Sequence, residues 1–207
     1  LCGHTPPYYQ DFVEQFGFQP ARGDNLAYAI SLEKTPSLQR LSRLANKIRE
    51  RKAFTIREAD LTDWEKELDR IHVLLNAALA HLPDFIGWHR GAVEVMLAPF
   101  LPIADPELIL FAEVDGRAVG WLPGIANLNE AFIHVNGLRY PWDYVKLWWH
   151  TRRQPESLTL KSVLVLREYW GTGVSVLLFD EMARRARAKG YEWVDMSLTS
   201  EANPNTP

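Results

Sequence analysis

Between Val163 and Phe179 the residue types and their spacing first suggest chemistry. An apolar run ends near Leu166, a loop carrying Gly171 and Gly173 follows, and a helical pattern opens at Val174. Glycine lets a backbone turn sharply and come close to a ligand. The first N–H groups of a helix have no partners within it, and the helix dipole is positive at that end. A strand, a glycine turn and a helix in that order can therefore cradle a pyrophosphate. The same glycines also serve a turn that binds nothing, and the motif by itself leaves both readings open.

Other reactive side chains are dispersed. His72, His81, His89, His134 and His150 form neither a His-x-x-x-His nor a His-Glu-x-x-His pattern, so no metal site is expected. A single cysteine, Cys2, excludes an intrachain disulfide framework and a cysteine-rich zinc site. Glu113 is a candidate base, although it reads more simply as a solvent-facing carboxylate on a strand. Ser197 reads as ordinary packing, and no catalytic residue is assigned. Trp142, Tyr144, Trp148 and Trp149 precede His150, Thr151, Arg152 and Arg153. This cluster reads as an amphipathic helix covering a sheet, the alternative being a pocket wall or a lipid- or partner-facing patch.

The elements that must position these residues follow from periodicity. Thr5-Pro6-Pro7 opens a short helix striped by Tyr8, Phe12 and Phe16 and ended by Gly17. Asp24 to Leu32 alternates as a strand, and Thr35-Pro36-Ser37 caps a helix over 37–51. A short strand at 54–57 precedes a long helix from Trp64. A second helix follows Gly87 and is broken by Pro99 and Pro102. Val114-Asp115-Gly116 joins two strands in a hairpin, since Asp-Gly suits a tight turn with positive φ. Two helical pieces at 127–135 and 142–150, a strand at 157–166, a helix at 174–189 and a strand at 192–198 complete the order. Such a succession implies an α/β (α+β) fold, a mixed sheet flanked by helices.

Arg167-Glu168-Tyr169-Trp170-Gly171-Thr172-Gly173-Val174-Ser175 also resembles the acetyl-CoA-binding motif of the GNAT superfamily of N-acetyltransferases. In that family a strand leads to a Pro-Glu-Tyr-like triplet, then Arg/Gln-x-x-Gly-x-Gly/Ala opens a helix. Gly173 takes the central glycine; Trp170 stands where Arg or Gln is usual and Ser175 at the second small position. The resemblance covers about residues 54 to 205 and implies a GNAT-like mixed central sheet. It implies acetyl-CoA as co-substrate and an amine as acceptor. Backbone groups of Leu164, Val165 and Leu166 would meet the thioester or pantetheine. Trp170, Gly171, Thr172, Gly173, Val174 and Ser175 would surround the pyrophosphate, and Asn203 falls where the family often has an asparagine after the last strand. The expected activity is N-acyl transfer from acetyl-CoA; a non-catalytic GNAT-fold module binding an acyl-CoA, another ligand or a partner domain is the alternative.

The N-terminal unit resembles the last helix and strand of a GNAT domain, and some members carry two domains in tandem. Residues 1–33 are therefore expected to be the end of a preceding domain, 34–53 a connector helix, and 54–207 a GNAT-like domain truncated at its C-terminus. The leftover strand would complete the sheet of the second domain, in the same chain or by exchange in a homodimer, and Tyr8 or Tyr9 could then replace the family's tyrosine acid. The chain reads as a fragment of a longer protein.

Composition sets the outer bounds. The chain has 207 residues, 47% hydrophobic and 24% charged, a balance suited to a packed core. A formal net charge of -3 gives no basic footprint for nucleic acid. No run approaches about 18 apolar residues, so no membrane span is expected; the N-terminal residues lack a charged n-region followed by an apolar h-region, so no signal peptide is expected, and a cytoplasmic location is the default.

Overall fold

The computed structural model describes residues 6–19, 25–51, 54–82, 85–135, 137–151, 153 and 155–200. Seven strands form one mixed sheet: β1 (Asn25–Ser31), β2 (Thr55–Glu58), β3 (Ile109–Val114), β4 (Arg117–Ala126), β5 (Ser157–Leu160), β6 (Leu164–Val165) and β7 (Trp193–Ser200). The helices are α1 (Tyr8–Gln15), α2 (Ser37–Arg51), α3 (Trp64–Leu79), α4 (Arg90–Leu97), α5 (Asn129–Phe132), α6 (Pro141–Thr151) and α7 (Val174–Ala188). Strand order is β1-β7-β5-β4-β3-β2, with β6 on β4 beyond β5. All neighbours are antiparallel except β5 and β7, which run parallel.

Local chemistry explains several elements directly. Asp115 and Gly116 both have positive φ, 49° and 78°, as a two-residue hairpin between Val114 and Arg117 requires. The Asp60 carboxylate accepts from the Thr62 N–H at 3.0 Å and opens the turn that leads into α3.

Pleating assigns the two faces of β4. A side chain at Gly120 would meet Val174 and Leu178, and one at Gly124 would meet Met182, so α7 covers that face. The alternate residues Trp121, Pro123 and Ile125 face the other side, where α3 and α4 lie. On that side Arg57 of β2 binds Glu113 of β3 at 2.6 Å and Glu67 of α3 at 2.7 Å, which ties the helix to the sheet. Glu113 is thus one arm of a structural ion cluster.

Residues 157–166 do not form the single strand that their composition predicts. Gly124 faces Leu160, so an unbroken ladder would set Gly120 opposite Leu164; Gly120 instead faces Val165. One extra residue is accommodated over Lys161–Val163, a β-bulge.

β1 pairs antiparallel with β7 from Asn25 opposite Ser200 to Ser31 opposite Trp193. Leu32 is buried, its N–H donates to the Glu192 carbonyl at 2.8 Å, and its own carbonyl accepts from the Arg187 guanidinium at 2.9 Å. The edge of β7 is therefore covered within one chain, and the expected exchange between two copies is not needed to cover it. α1 buries no side chain; Tyr8 and Tyr9 are exposed and meet edge to face at 5.0 Å. α2 does more than connect. It lies on α7, with Ala45 buried, Ser42 Oγ donating to Asp180 at 2.6 Å and Arg49 pairing with Asp180 at 2.8 Å.

Candidate functional site

The parallel pairing of β5 with β7 stops at Leu160 opposite Met196. Past that point β6 pairs only with β4, while β7 runs on beside β1. The two strands part, and a wedge opens between β6 and the end of β7. The bulge at Lys161–Val163 sits at the apex and moves β6 away.

Register settles which groups of β6 face the wedge. The Leu166 N–H donates to the Val119 carbonyl at 3.0 Å, and Leu164 lies opposite Trp121. Antiparallel alternation then turns the N–H and carbonyl of Val165 outward. The side chains of Leu164 and Leu166 are buried and their backbone groups turn toward β4, so of the three positions expected to meet the ligand arm only Val165 presents backbone groups to the wedge.

At the open end of the wedge the chain turns through Gly171, with φ of 70°, and Gly173, with φ of 95°, into α7. The first intrahelical bond runs from the Leu177 N–H to the Gly173 carbonyl at 3.1 Å. Among the described residues the N–H groups of Gly171, Gly173, Val174, Ser175 and Val176 have no partner, and no side chain caps the helix. These donors sit together at the positive end of a 15-residue helix. Gly173 is also pressed from outside: a side chain there would place its Cβ 2.5 Å from Ile48 Cδ1 of α2.

The remaining turn residues hold the turn itself. Thr172 Oγ1 donates to the Tyr169 carbonyl at 2.6 Å. Trp170 Nε1 donates to the outward carbonyl of Val165 at 3.0 Å, and its ring meets His81 edge-on at 4.8 Å. The indole is thus folded back along β6. Val174 is buried, and only its N–H can serve a ligand. Asn203 lies outside the described residues.

Two recesses border the sheet, one at the apex on the α3 face and one at the start of β5. One is apolar, about 390 Å³, and reaches from α3 and α4 to Trp121, Lys161 and Ser162. The other is open and polar, about 720 Å³, and is lined by Asn127, Glu130, His134, His150, Arg153 and Glu156 among others. The two imidazoles stack at 4.0 Å, and partial burial with the neighbouring positive charge pushes His150 below its ordinary pKa. Asp195 of β7 lies beside this recess, accepting from Asn127 Nδ2 at 3.4 Å. Burial and, secondarily, Glu130 push its carboxyl above its ordinary pKa. Sequence spacing could not find Asp195 or the imidazole pair, because the groups that define them come from separate segments. Among the described residues no group of His, Cys, Asp and Glu could hold a metal ion, and no helix is long and apolar enough to cross a membrane.

A sequence model of the Acetyltransferase (GNAT) family matches residues 77–206, well over half of the chain. The chain belongs to the GNAT family. In GNAT terms, β5 and β6 together form the strand before the glycine turn, and β7 the strand after α7. Two curated relatives are similar along 98% of the chain: a bacterial ceramide synthase of Caulobacter vibrioides, 24% identical, and Protein YghO of Escherichia coli, 22% identical. The chain spans about half the length of these relatives, 53% of each. Among solved structures, a GCN5-related N-acetyltransferase from Sphaerobacter thermophilus matches 96% of the chain with 49% of its own, at a TM-score of 0.55 and 18% identity. A functionally unknown conserved protein from Staphylococcus epidermidis matches 98% with 60% of its own, at 0.55 and 15%. At these identities the solved structures support the GNAT fold and nothing finer.

Proposed function

We propose that this GNAT domain is an N-acyltransferase that moves an acyl group from an acyl-CoA, acetyl-CoA in the simplest case, to an amine. The observation that carries this reading is the wedge between β6 and β7, leading onto a turn of unpartnered amides. The N–H groups of Gly171, Gly173, Val174 and Ser175, with Thr172 between them, would hold the pyrophosphate. The outward N–H of Val165, flanked by Leu164 and Leu166, would hold the pantetheine arm. Trp170 would wall the arm rather than bind phosphate.

The co-substrate supplies an activated thioester carbonyl. The chain supplies position and charge. The acceptor nitrogen forms the new C–N bond, the C–S bond breaks and its electron pair leaves with sulfur. The proton shed by the amine passes to a base, and Asp195, on β7 one residue before the last pairing with β5 and with a raised pKa, suits that role. The Caulobacter relative's name, a ceramide synthase, is in keeping with acyl transfer. Relatives of about twice this length, and a β1 that completes the sheet on β7, support reading residues 1–33 as the end of a preceding GNAT-like domain and 34–53 as the link to residues 54–207.

Isothermal titration of CoA and acetyl-CoA against the full-length protein, followed by thiol release with a panel of amines, tests the assignment. No binding at millimolar ligand would sink it. Binding without turnover on any amine would favour a non-catalytic ligand-binding module.

A further inference from the structure

The apolar recess is larger than an acetyl group requires. Its walls are Trp64, Leu75 and Leu79 of α3, Met96 of α4, Phe100 just beyond it, and Pro123 of β4. Glu67 also lines it, its carboxylate held by Arg57, and the remaining polar residues, Lys161 and Ser162, belong to the bulge at the apex of the wedge. A second observation points independently to an occupant. Trp121 lines the recess and is 6% exposed, yet its Nε1–H is buried with no partner among the described residues. A buried donor without an acceptor is costly, and native interiors rarely leave one unmet. Trp121 is the register partner of Leu164, two residues past Ser162, so the unmet donor belongs to the bulge end of the recess.

We propose that this recess binds a single long aliphatic chain, with an oxygen near its head accepting from Trp121 Nε1–H and the head leaving between Lys161 and Ser162. This rests on the acyl-transfer reading for which end of the chain reacts. Taking a methylene as about the size of a water molecule, roughly 30 Å³, the volume of about 390 Å³ holds about a dozen carbons. The chain belongs either to the acyl group of the acyl-CoA or to the tail of an amphiphilic amine. Both sources share the chemistry that the recess recognises.

Two probe series separate them: straight-chain acyl-CoAs of two to sixteen carbons, and straight-chain 2-amino-1-alkanols, each below its micellar concentration. Affinity should rise about fourfold per methylene in one series and level off near about twelve carbons. Ala104→Phe, which adds a ring to the wall, should move the plateau to shorter chains. Trp121→Phe should weaken the responsive series about tenfold while leaving the gain per methylene unchanged, because only the head contact is lost. Free CoA is titrated in parallel. If CoA binds and affinity is flat with chain length in both series, the proposal is overturned while the acyl-transfer reading stands. If CoA fails to bind but the amino-alcohols show the slope, the recess is supported and the acyl-transfer reading falls. A slope that Ala104→Phe leaves unmoved places the chain elsewhere and overturns the proposal.

Discussion

Replacing Gly173 with alanine tests the geometry of the turn and of the helix that braces it. The backbone there has φ of 95°, which an L side chain tolerates at a cost of about 1–3 kcal/mol. The new Cβ would also stand 2.5 Å from Ile48 Cδ1, where carbon atoms prefer about 3.5–4.0 Å. Relieving that overlap by moving α2 or an off-rotamer Ile48 costs about 1–3 kcal/mol more. Gly173→Ala is therefore expected to lose about 2–6 kcal/mol of stability, and CoA affinity should fall at least about tenfold as the amides lose alignment. Urea unfolding of the parent, Gly173→Ala, Ile48→Ala and the double variant closes a cycle. Ile48→Ala removes the steric part only, so the double variant should be more stable than additivity predicts by about 1–3 kcal/mol. Additivity within about 0.5 kcal/mol would refute the contact between α2 and the turn. A Gly173→Ala protein with parental stability and parental CoA affinity would refute the reading of the turn altogether.

Asp195→Asn should lower kcat/KM by about 10²–10⁴-fold if Asp195 takes the amine proton. Its folded pKa is raised, so the folded state holds the proton more tightly than the unfolded chain, and ionisation costs stability as pH climbs from the unfolded value through the folded one. The variant should thus melt no lower than the parent at neutral pH and lose any advantage in acid; lower activity with a lower melting temperature would point to a structural role instead. Trp170→Arg, which restores the residue type usual in the motif, should tighten CoA binding about three- to tenfold at low salt and lose that gain at high salt. An unchanged Kd at both salts would mean that position 170 does not reach the phosphates. Glu67→Ala strips a buried carboxylate from Arg57 and from the Asp60 N–H, and denaturant titration should read a loss of about 3–5 kcal/mol. A loss below about 1 kcal/mol would show that the cluster does not brace α3 on β2.

The amino-acid sequence by itself determined whatever depends on neighbours along the chain. The bounds of α2, the opening of α7 at Gly173 and the turn at Asp115-Gly116 follow from caps, glycines and periodicity within a few residues. So does the strand, glycine turn and helix that marked the site, and with it the family. The tertiary structure decided what depends on partners far apart. The bulge at Lys161–Val163 is a one-residue shift between the registers of β5 and β6 on β4, at the point where pairing with β7 ends, and composition does not record it. Trp170 bonds Val165, Ile48 presses on Gly173, and Asn127 meets Asp195 only because the sheet and its helices bring those segments together. The apolar recess is likewise a property of α3, α4 and β4 jointly, since each contributes residues that would read alone as ordinary core. Sequence therefore located the glycine turn, and packing decided the wedge and the apolar recess.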